Sequence, residues 1–518
     1  MREARLGSNA AVVIGTAAAV RSLRSQMLLH ELAESALPWP CGCVLIEDAP
    51  GVDPGLPVLG TLDQLGELRS WNDLSVALVT MPSDRWSEVE GLCDAARRSG
   101  LEARAVPTLD DLVHGRWAGD AGSTPRLGVS LEPAALIGRE PYPIDESEVE
   151  NLLRGRVVLV TGAGGSIGSE LAMIAARFGP ARLVLMERSE NALFEIDRRL
   201  REAFPDVERA AILHDVVDAE GTLAYVREHG PDVVFHAAAH KHVPLMEDHP
   251  AHAVTNNLFG TKAIADAARA CGAERFVLIS SDKAVNPTSV MGATKRLAER
   301  YVQGLQSRSP VTRFSMVRFG NVLASASSVL PIWSSQLAAG RAITVTDARM
   351  TRYFMTIPEA ASLVIQSAAT EHDGLSARVF VLDMGEPVRI LELAERLCRA
   401  HGLEPVRLEG VDSAVPSGRA GVVLTGVRPG EKLHEELAYS AERLVPTGRP
   451  GINAWASPED AVDLAALLAD MRAVRGSRDR EAVLAAIRRH VPEMVSPAAG
   501  ERDETSVGSA SIPCSPAA

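Results

Sequence analysis

Residues 161–170 read TGAGGSIGSE and space Gly162, Gly165 and Gly168 at equal intervals. They lie between an apolar run, RVVLVT at 156–161, and a helical pattern. A strand, loop and helix arranged this way hold a dinucleotide. The first glycine makes the tight turn, the second lets a diphosphate approach the backbone, and the third lets the helix pack closely. Ser166 and Ile167 begin the helix, whose unpaired N–H groups and partial positive charge favour the phosphates. Glu187 ends the next apolar run, where a carboxylate accepts hydrogen bonds from adenosine ribose hydroxyls. Arg188 beside it suits a 2′-phosphate, so NAD is favoured while NADP stays open. Asp215, just past the third run, is placed to reach the adenine or is simply a surface acid.

Other residues with ligand chemistry lead elsewhere. Five histidines fall between His236 and His252, but they straddle a strand end and a loop with no thiolate or carboxylate set. No metal is expected there. The six cysteines show no paired zinc-type spacing, which points to reduced thiols in a reducing compartment. A net charge of −14 with no offsetting basic run excludes a nucleic-acid partner and requires any phosphate to be held by a local site. The apolar stretch Ala10–Val20 is broken by Gly15 and Thr16 and falls short of the ~20 residues that cross a bilayer. A cytoplasmic protein without membrane insertion is expected.

Length sets the elements that must position these residues: 518 residues suggest two to four domains, and 46% hydrophobic with 23% charged residues fits a globular enzyme. Short apolar runs (AVVIG, GCVLI, SVALVT, ARAVP) alternate with helical patterns over 1–119, predicting a small α/β domain. Gly15 follows its first run, but TAAAV comes next and the further glycines are missing, so a degenerate, structural loop is expected. Residues 120–150 are rich in Gly, Pro, Ser and acids and read as a linker. A second α/β series, 151–320, predicts a doubly wound parallel sheet of Rossmann type. A smaller lobe closing over the ligand-binding edge of the sheet is expected over 321–450, helices over 451–495 and a disordered tail over 496–518.

The strand RFVLISS (275–281) runs into SDKAVNPTSVMGATK (281–295). With HAAAHKHVPLME, VRFGNVL, DARMTRYFMTIPEA, VFVLDMGEPV and RPGEKLHEEL, the chain from about Leu131 to Pro450 resembles the UDP-N-acetylglucosamine 4,6-dehydratases. These form the polysaccharide-biosynthesis branch of the extended short-chain dehydrogenases/reductases. The N-terminal segment resembles the α/β domain of the family's long members, which usually carry membrane helices ahead of it. The resemblance implies loss of water from a UDP-N-acetylhexosamine, with internal hydride transfer from C4 to C6 and recycled NAD or NADP. A homo-oligomer is expected.

The resemblance also assigns roles. Short-chain dehydrogenases place Tyr and Lys four apart on one helix; here the pair is Met291 and Lys295. Lys295 can hold the nicotinamide ribose, but a thioether cannot exchange a proton with a sugar hydroxyl. An active subset of the family has Met at this position and retains the configuration at C5. In that subset the chemistry falls to the residues matching Ser281, Asp282 and Lys283. Lys283 as a base needs its pKa pulled down, by burial and a neighbouring cation such as Lys295, and Asp282 as an acid needs a proton. Asn321, Arg428 and Glu431 match positions that hold the diphosphate and uridine ribose, and Lys241 and Asn257 match pocket motifs. Where the family has GSRGS, this chain has ASASS at 324–328, losing an arginine and both glycines. A UDP-sugar epimerase and a silent nucleotide-sugar-binding protein are the competing readings.

Overall fold

The computed structural model describes residues 10–30, 40–47, 53–106 except 73, 83–84 and 86–87, and 141–494 except 324, 326–327, 371–377, 401–402, 412, 417–418, 440–442 and 457–461. The expected tail and most of the expected linker lie outside the described residues.

The N-terminal strands are β1 (Ala10–Gly15), β2 (Pro40–Leu45), β3 (Val58–Gly60), β4 (Leu74–Thr80) and β5 (Glu102–Ala105). They form a parallel sheet in the order β3-β2-β1-β4-β5. A Cβ on Gly15 would lie 2.0 Å from the Thr80 carbonyl oxygen, so this glycine serves close packing of β1 against β4.

The larger sheet begins with β6 (Val157–Thr161), β7 (Arg182–Glu187), β8 (Arg209–Leu213), β9 (Val233–His236), β10 (Arg275–Ile279) and β11 (Arg313–Arg318). Side chains along a strand alternate between faces. Val158 and Val160 accordingly enter one apolar cluster and Leu159 the other; Phe276 and Leu278 oppose Val277 and Ile279 in the same way. Helices cover both faces, so the runs are apolar throughout. Beyond β11, β12 (Asn321–Val322), β13 (Ile343–Val345), β14 (Thr351–Arg352) and β15 (Phe354–Met355) leave the sheet, and β16 (Arg378–Leu382) re-enters it. After β17 (Val388–Arg389), β18 (Glu404–Leu408) and β19 (Arg419–Leu424), the antiparallel β20 (Arg443–Pro446) and β21 (Ile452–Ala456) complete an edge.

The nine-stranded order is β20-β21-β16-β11-β10-β9-β6-β7-β8. The chain winds from β6 toward β8, then crosses back to β9 and outward, so the switch point lies between β6 and β9. Ligands of such sheets bind in the crevice beyond that point.

The doubly wound α/β fold is as expected, but the large sheet ignores the expected boundaries. Helix Glu146–Leu153, capped by Asp145 accepting from the Glu148 N–H, begins in the expected linker, runs past its end and packs on helix Ile357–Ala369. β16, β20 and β21 take three strands from beyond residue 320, one of them in the expected C-terminal helical segment. Helices Leu464–Val474 and Arg480–His490 then bury Leu467, Met471, Val483 and Ile487 in the same core as β10. These strands are short and their partners distant in sequence, so local pattern does not reveal their sheet. Among the described residues no helix is long and apolar enough to cross a membrane.

Candidate active site

Two neighbouring cavities open at the switch point. The smaller, about 180 Å³, is lined by Gly162, Gly165, Glu187, Arg188 and Asp215; the larger, about 600 Å³, by Gly165, Ser166, Ile167, Gly168 and further residues described below. Gly165 belongs to both.

Gly162 has φ +65, and a Cβ there would meet the Ala238 nitrogen at 2.7 Å. A Cβ on Gly168 would lie 2.0 Å from the Gly162 carbonyl oxygen, so the helix rests directly on the turn. Gly165 is different: its Cβ would meet only the Gly162 oxygen, at 3.2 Å, leaving the cavity side open. No side chain caps helix Ser166–Arg177. The Glu187 carboxylate accepts from the Gly164, Arg188 and Ser189 N–H groups at 3.2, 2.9 and 3.0 Å, which fixes it at the rim of the small cavity. Arg188 lies 3.8 Å from Asp215 and donates to Asn256 Oδ1. This cradle fits a dinucleotide, with the diphosphate over Gly165 and a ribose at Glu187.

At the far end of β10, Ser281 N-caps a single helical turn, Asp282–Ala284, and accepts from the Lys283 N–H. Its hydroxyl donates to Asp282 Oδ1 at 2.8 Å. Lys283 Nζ donates to Asp282 Oδ1 and Asn321 Oδ1, both at 2.9 Å, and stands 3.6 Å from Glu435 Oε1. Arg352 Nε lies 3.6 Å from the same Glu435 oxygen. Ser281, Lys283, Met291, Lys295, Asn321, Arg428, Glu431 and Lys241 all line the large cavity.

Two of the expected site residues lie behind the wall. Asp282 is fully buried and absent from the lining. Asn257, on a π-helical turn Val254–Phe259, accepts from the His240 N–H and donates to the His240 carbonyl and Thr294 Oγ1. It therefore holds a loop in place and does not line the large cavity. Arg352 and Glu435, which the sequence reading did not single out, do line it. Both stand within the quoted motifs, DARMTRYFM and RPGEKLHEEL, but a charged residue there looks like a solvated one until the fold buries it.

The expected electrostatics of Lys283 need correction. Burial lowers its pKa, but Asp282 and Glu435 outweigh burial and Arg352, and the ammonium is held above its usual range. The cation beside it is Arg352. Lys295 instead donates to the Ile279 carbonyl at 2.6 Å and is itself drawn down to about 8 by burial, against the pull of Glu299.

A family model described as polysaccharide biosynthesis protein matches residues 158–455, more than half of the chain. The chain belongs to that family. Among curated relatives, the probable polysaccharide biosynthesis protein EpsC of Bacillus subtilis is 42% identical over 75% of this chain and 61% of its own length. CapD of Staphylococcus aureus is 40% identical over 71% and 57%. The chain thus spans about three-fifths of the length of these two relatives. An inverting UDP-N-acetylglucosamine 4,6-dehydratase of Campylobacter jejuni is 29% identical over 56% of this chain. The solved structure of Pen from Bacillus thuringiensis superposes with a TM-score of 0.51 at 28% identity, covering 60% of this chain and 90% of that one.

Beneath the trio the chain carries a buried ionic network. Arg318 donates to both Glu299 oxygens at 2.8 Å, Ser280 Oγ to Oε1 at 2.6 Å, and Arg296 to Oε2 at 3.1 Å. Despite full burial, which alone raises a carboxyl pKa, Arg318, Arg296 and Ser280 hold Glu299 down at about 2. Arg296 also reaches Glu493, and Tyr439 donates to the Ala284 carbonyl at 3.0 Å and contacts Glu493 at 3.1 Å. The turn bearing Lys283 is therefore braced from below. Three of the five histidines have ring partners: His236 is buried between the hydroxyls of Thr161 and Thr261, and His240 stacks on His252.

Proposed function

We propose that the chain is a UDP-N-acetylglucosamine 4,6-dehydratase that retains configuration at C5. One observation carries the reading: a hydrogen-bonded Ser281–Asp282–Lys283 set opens onto the cavity that begins at the glycine loop, with Met291 where a proton-exchanging Tyr would otherwise stand. The similarity to two relatives named as inverting UDP-N-acetylglucosamine 4,6-dehydratases supports the dehydration, while retention rests on Met291.

In this reading Gly165 and the helix beginning at Ser166 hold the diphosphate of NAD(P), Glu187 its adenosine ribose, and Lys295 its nicotinamide ribose. NAD is favoured, because the Glu187 carboxylate occupies the ribose end and Asp215 lies against Arg188. Bound there, the nicotinamide would supply a reversible hydride acceptor, so that the hydride lost at C4 could be regained at C6. Ser281 accepts the O4 proton while passing its own to Asp282 Oδ1, 2.8 Å away. Lys283 exchanges the C5 proton, acidic once C4 is a ketone. Return to C5 by the group that removed it keeps the configuration, and Met291 offers no donor on the opposite face. The product is UDP-2-acetamido-2,6-dideoxy-α-D-xylo-hexos-4-ulose. Arg428, Glu431 and Asn321 would hold the UDP, and Lys241, whose ammonium reaches Ser325 at 3.4 Å, would approach it within the divergent 324–328 segment.

Named UDP-glucose 4-epimerases are 30% identical over 55% of the chain, which keeps epimerisation as a second reading. The direct test is incubation with UDP-N-acetylglucosamine and NAD, followed by mass and proton NMR in deuterated buffer. A dehydrated D-xylo product with deuterium at C5 is expected. An L-arabino product refutes retention, a C4 epimer supports the second reading, and an unchanged substrate points to the silent binding protein.

A further inference from the structure

The dehydratase reading leaves one proton without a donor. Water departs from C6 only if O6 is protonated, and the carboxyl that the sequence points to for this, Asp282, is fully buried and does not line the cavity. Its Oδ1 already receives Ser281 and Lys283, and its Oδ2 faces inward, 3.3 Å from where a Cβ on Gly320 would lie.

Glu435 has what Asp282 lacks. It lines the large cavity; like Asp282 it is almost wholly buried and has one carboxylate oxygen, here Oε2, without a hydrogen-bond partner among the described residues. Its place is fixed from several sides. The Thr351 N–H donates to the Leu433 carbonyl at 3.0 Å, Arg352 reaches the same oxygen, and Thr351 Oγ1 meets His434 Nδ1 at 2.9 Å. Lys432 Nζ donates to the Val285 carbonyl at 2.9 Å, which ties this segment to the turn after Lys283. A buried carboxylate so held, with one oxygen toward an ammonium and the other unpartnered, is placed to carry a proton.

We infer that Glu435 is the catalytic acid that protonates the departing O6. The inference rests on the dehydratase reading. In the resting cluster Lys283 is the ammonium, and Asp282 and Glu435 are carboxylates; Arg352 is the second cation. Transfer of one proton from Lys283 Nζ to Glu435 Oε1, now 3.6 Å apart, breaks an N–H bond and makes an O–H bond. It leaves a neutral amine and a neutral acid with no change in total charge. Lys283 then takes the C5 proton, the C5–C6 double bond forms, the C6–O6 bond breaks, and O6 leaves as water with the proton of Glu435. After C6 is reduced, Lys283 returns its proton to C5. Asp282, holding the former O4 proton, hands it to Lys283 across 2.9 Å and restores the starting state. Every proton is accounted for, and a lysine held charged at rest still serves as a base.

The test compares Glu435→Gln and Glu435→Asp with the wild type on two substrates, UDP-N-acetylglucosamine and its 6-deoxy-6-fluoro analogue. Fluoride needs no protonation to leave as strongly as hydroxide does. For Glu435→Gln, loss of water is expected to fall on the order of 10²–10⁴-fold, while fluoride release stays within about tenfold of the wild type and C5 still exchanges with deuterated water. Glu435→Asp is expected to fall between. Bound-cofactor content and thermal unfolding equal to the wild type establish that both variants fold. Equal losses on both substrates, or no loss on either, would overturn the assignment to Glu435 while leaving the dehydratase reading intact. A wild type inert on both substrates overturns that reading and this inference with it.

Discussion

Two strand–turn–helix units open the two sheets, and they treat the first turn of the helix differently. After β1 the chain runs through Gly15 and Thr16, and the Thr16 hydroxyl accepts from the Ala19 N–H at 3.3 Å, closing the helix end with its own side chain. After β6 it runs through Gly162 to Gly165, and no side chain caps the helix. In the first unit the glycine presses on a neighbouring strand; in the second, Gly165 leaves a backbone surface facing a cavity. An anion site therefore needs more than a glycine after a strand. The helix end must be left uncapped by its own residues and the backbone beside it uncovered.

The variant expected to have the largest effect acts at the end of the cavity that only the second unit serves. Lys283→Ala is expected to lower turnover on the order of 10²–10⁴-fold while bound nicotinamide stays at the wild-type level. Near-normal turnover in that variant would remove Lys283 from the mechanism. Gly165→Val breaks the comparison at its centre: because the added side chain meets open cavity, the fold should persist while cofactor content falls to near zero. Unchanged nicotinamide after purification would count against the diphosphate cradle.

The two domains also differ in how they hold charge. Described ion pairs of the N-terminal domain, such as Arg85 with Glu47, are partly exposed, whereas Arg318 and Glu299 in the larger domain are both fully buried. Glu299→Gln leaves Arg318 short of its counter-charge and should cost about 3–5 kcal/mol of stability, read from denaturant unfolding. The same carboxylate makes the larger domain acid-sensitive. Its folded pKa of about 2 lies below the ordinary value of about 4.3, so its contribution is full above that value and disappears as pH falls toward 2. Thermal unfolding between pH 5 and pH 2, ranges of the order set by these pKa values, should show the larger domain weakening through this group. An equal loss in Glu299→Gln would deny it. The smallest effect belongs to the other unit: Thr16→Ala removes a cap worth about 1 kcal/mol and should leave cofactor content untouched.

The contrast between the glycine loops was legible in the sequence because it rests on contiguous residues. So were the six parallel strands from β6 to β11, whose apolar runs report burial on both faces. Strands β16, β20 and β21 were not, since they are short and join a sheet begun more than two hundred residues earlier. Ser281 and Lys283 stood out through the motif around them. The charge state of Lys283 did not, because it depends on Glu435 and Arg352, which only the fold brings beside it.

The brace under the Lys283 turn has a consequence for the order in which the protein becomes competent. Tyr439 and Glu493 support that turn through Ala284 and Arg296, yet Glu493 is made last among these residues. In a chain made from its N-terminus, the support beneath the Lys283 turn is therefore complete only after the segment carrying Glu493 has been made and has docked.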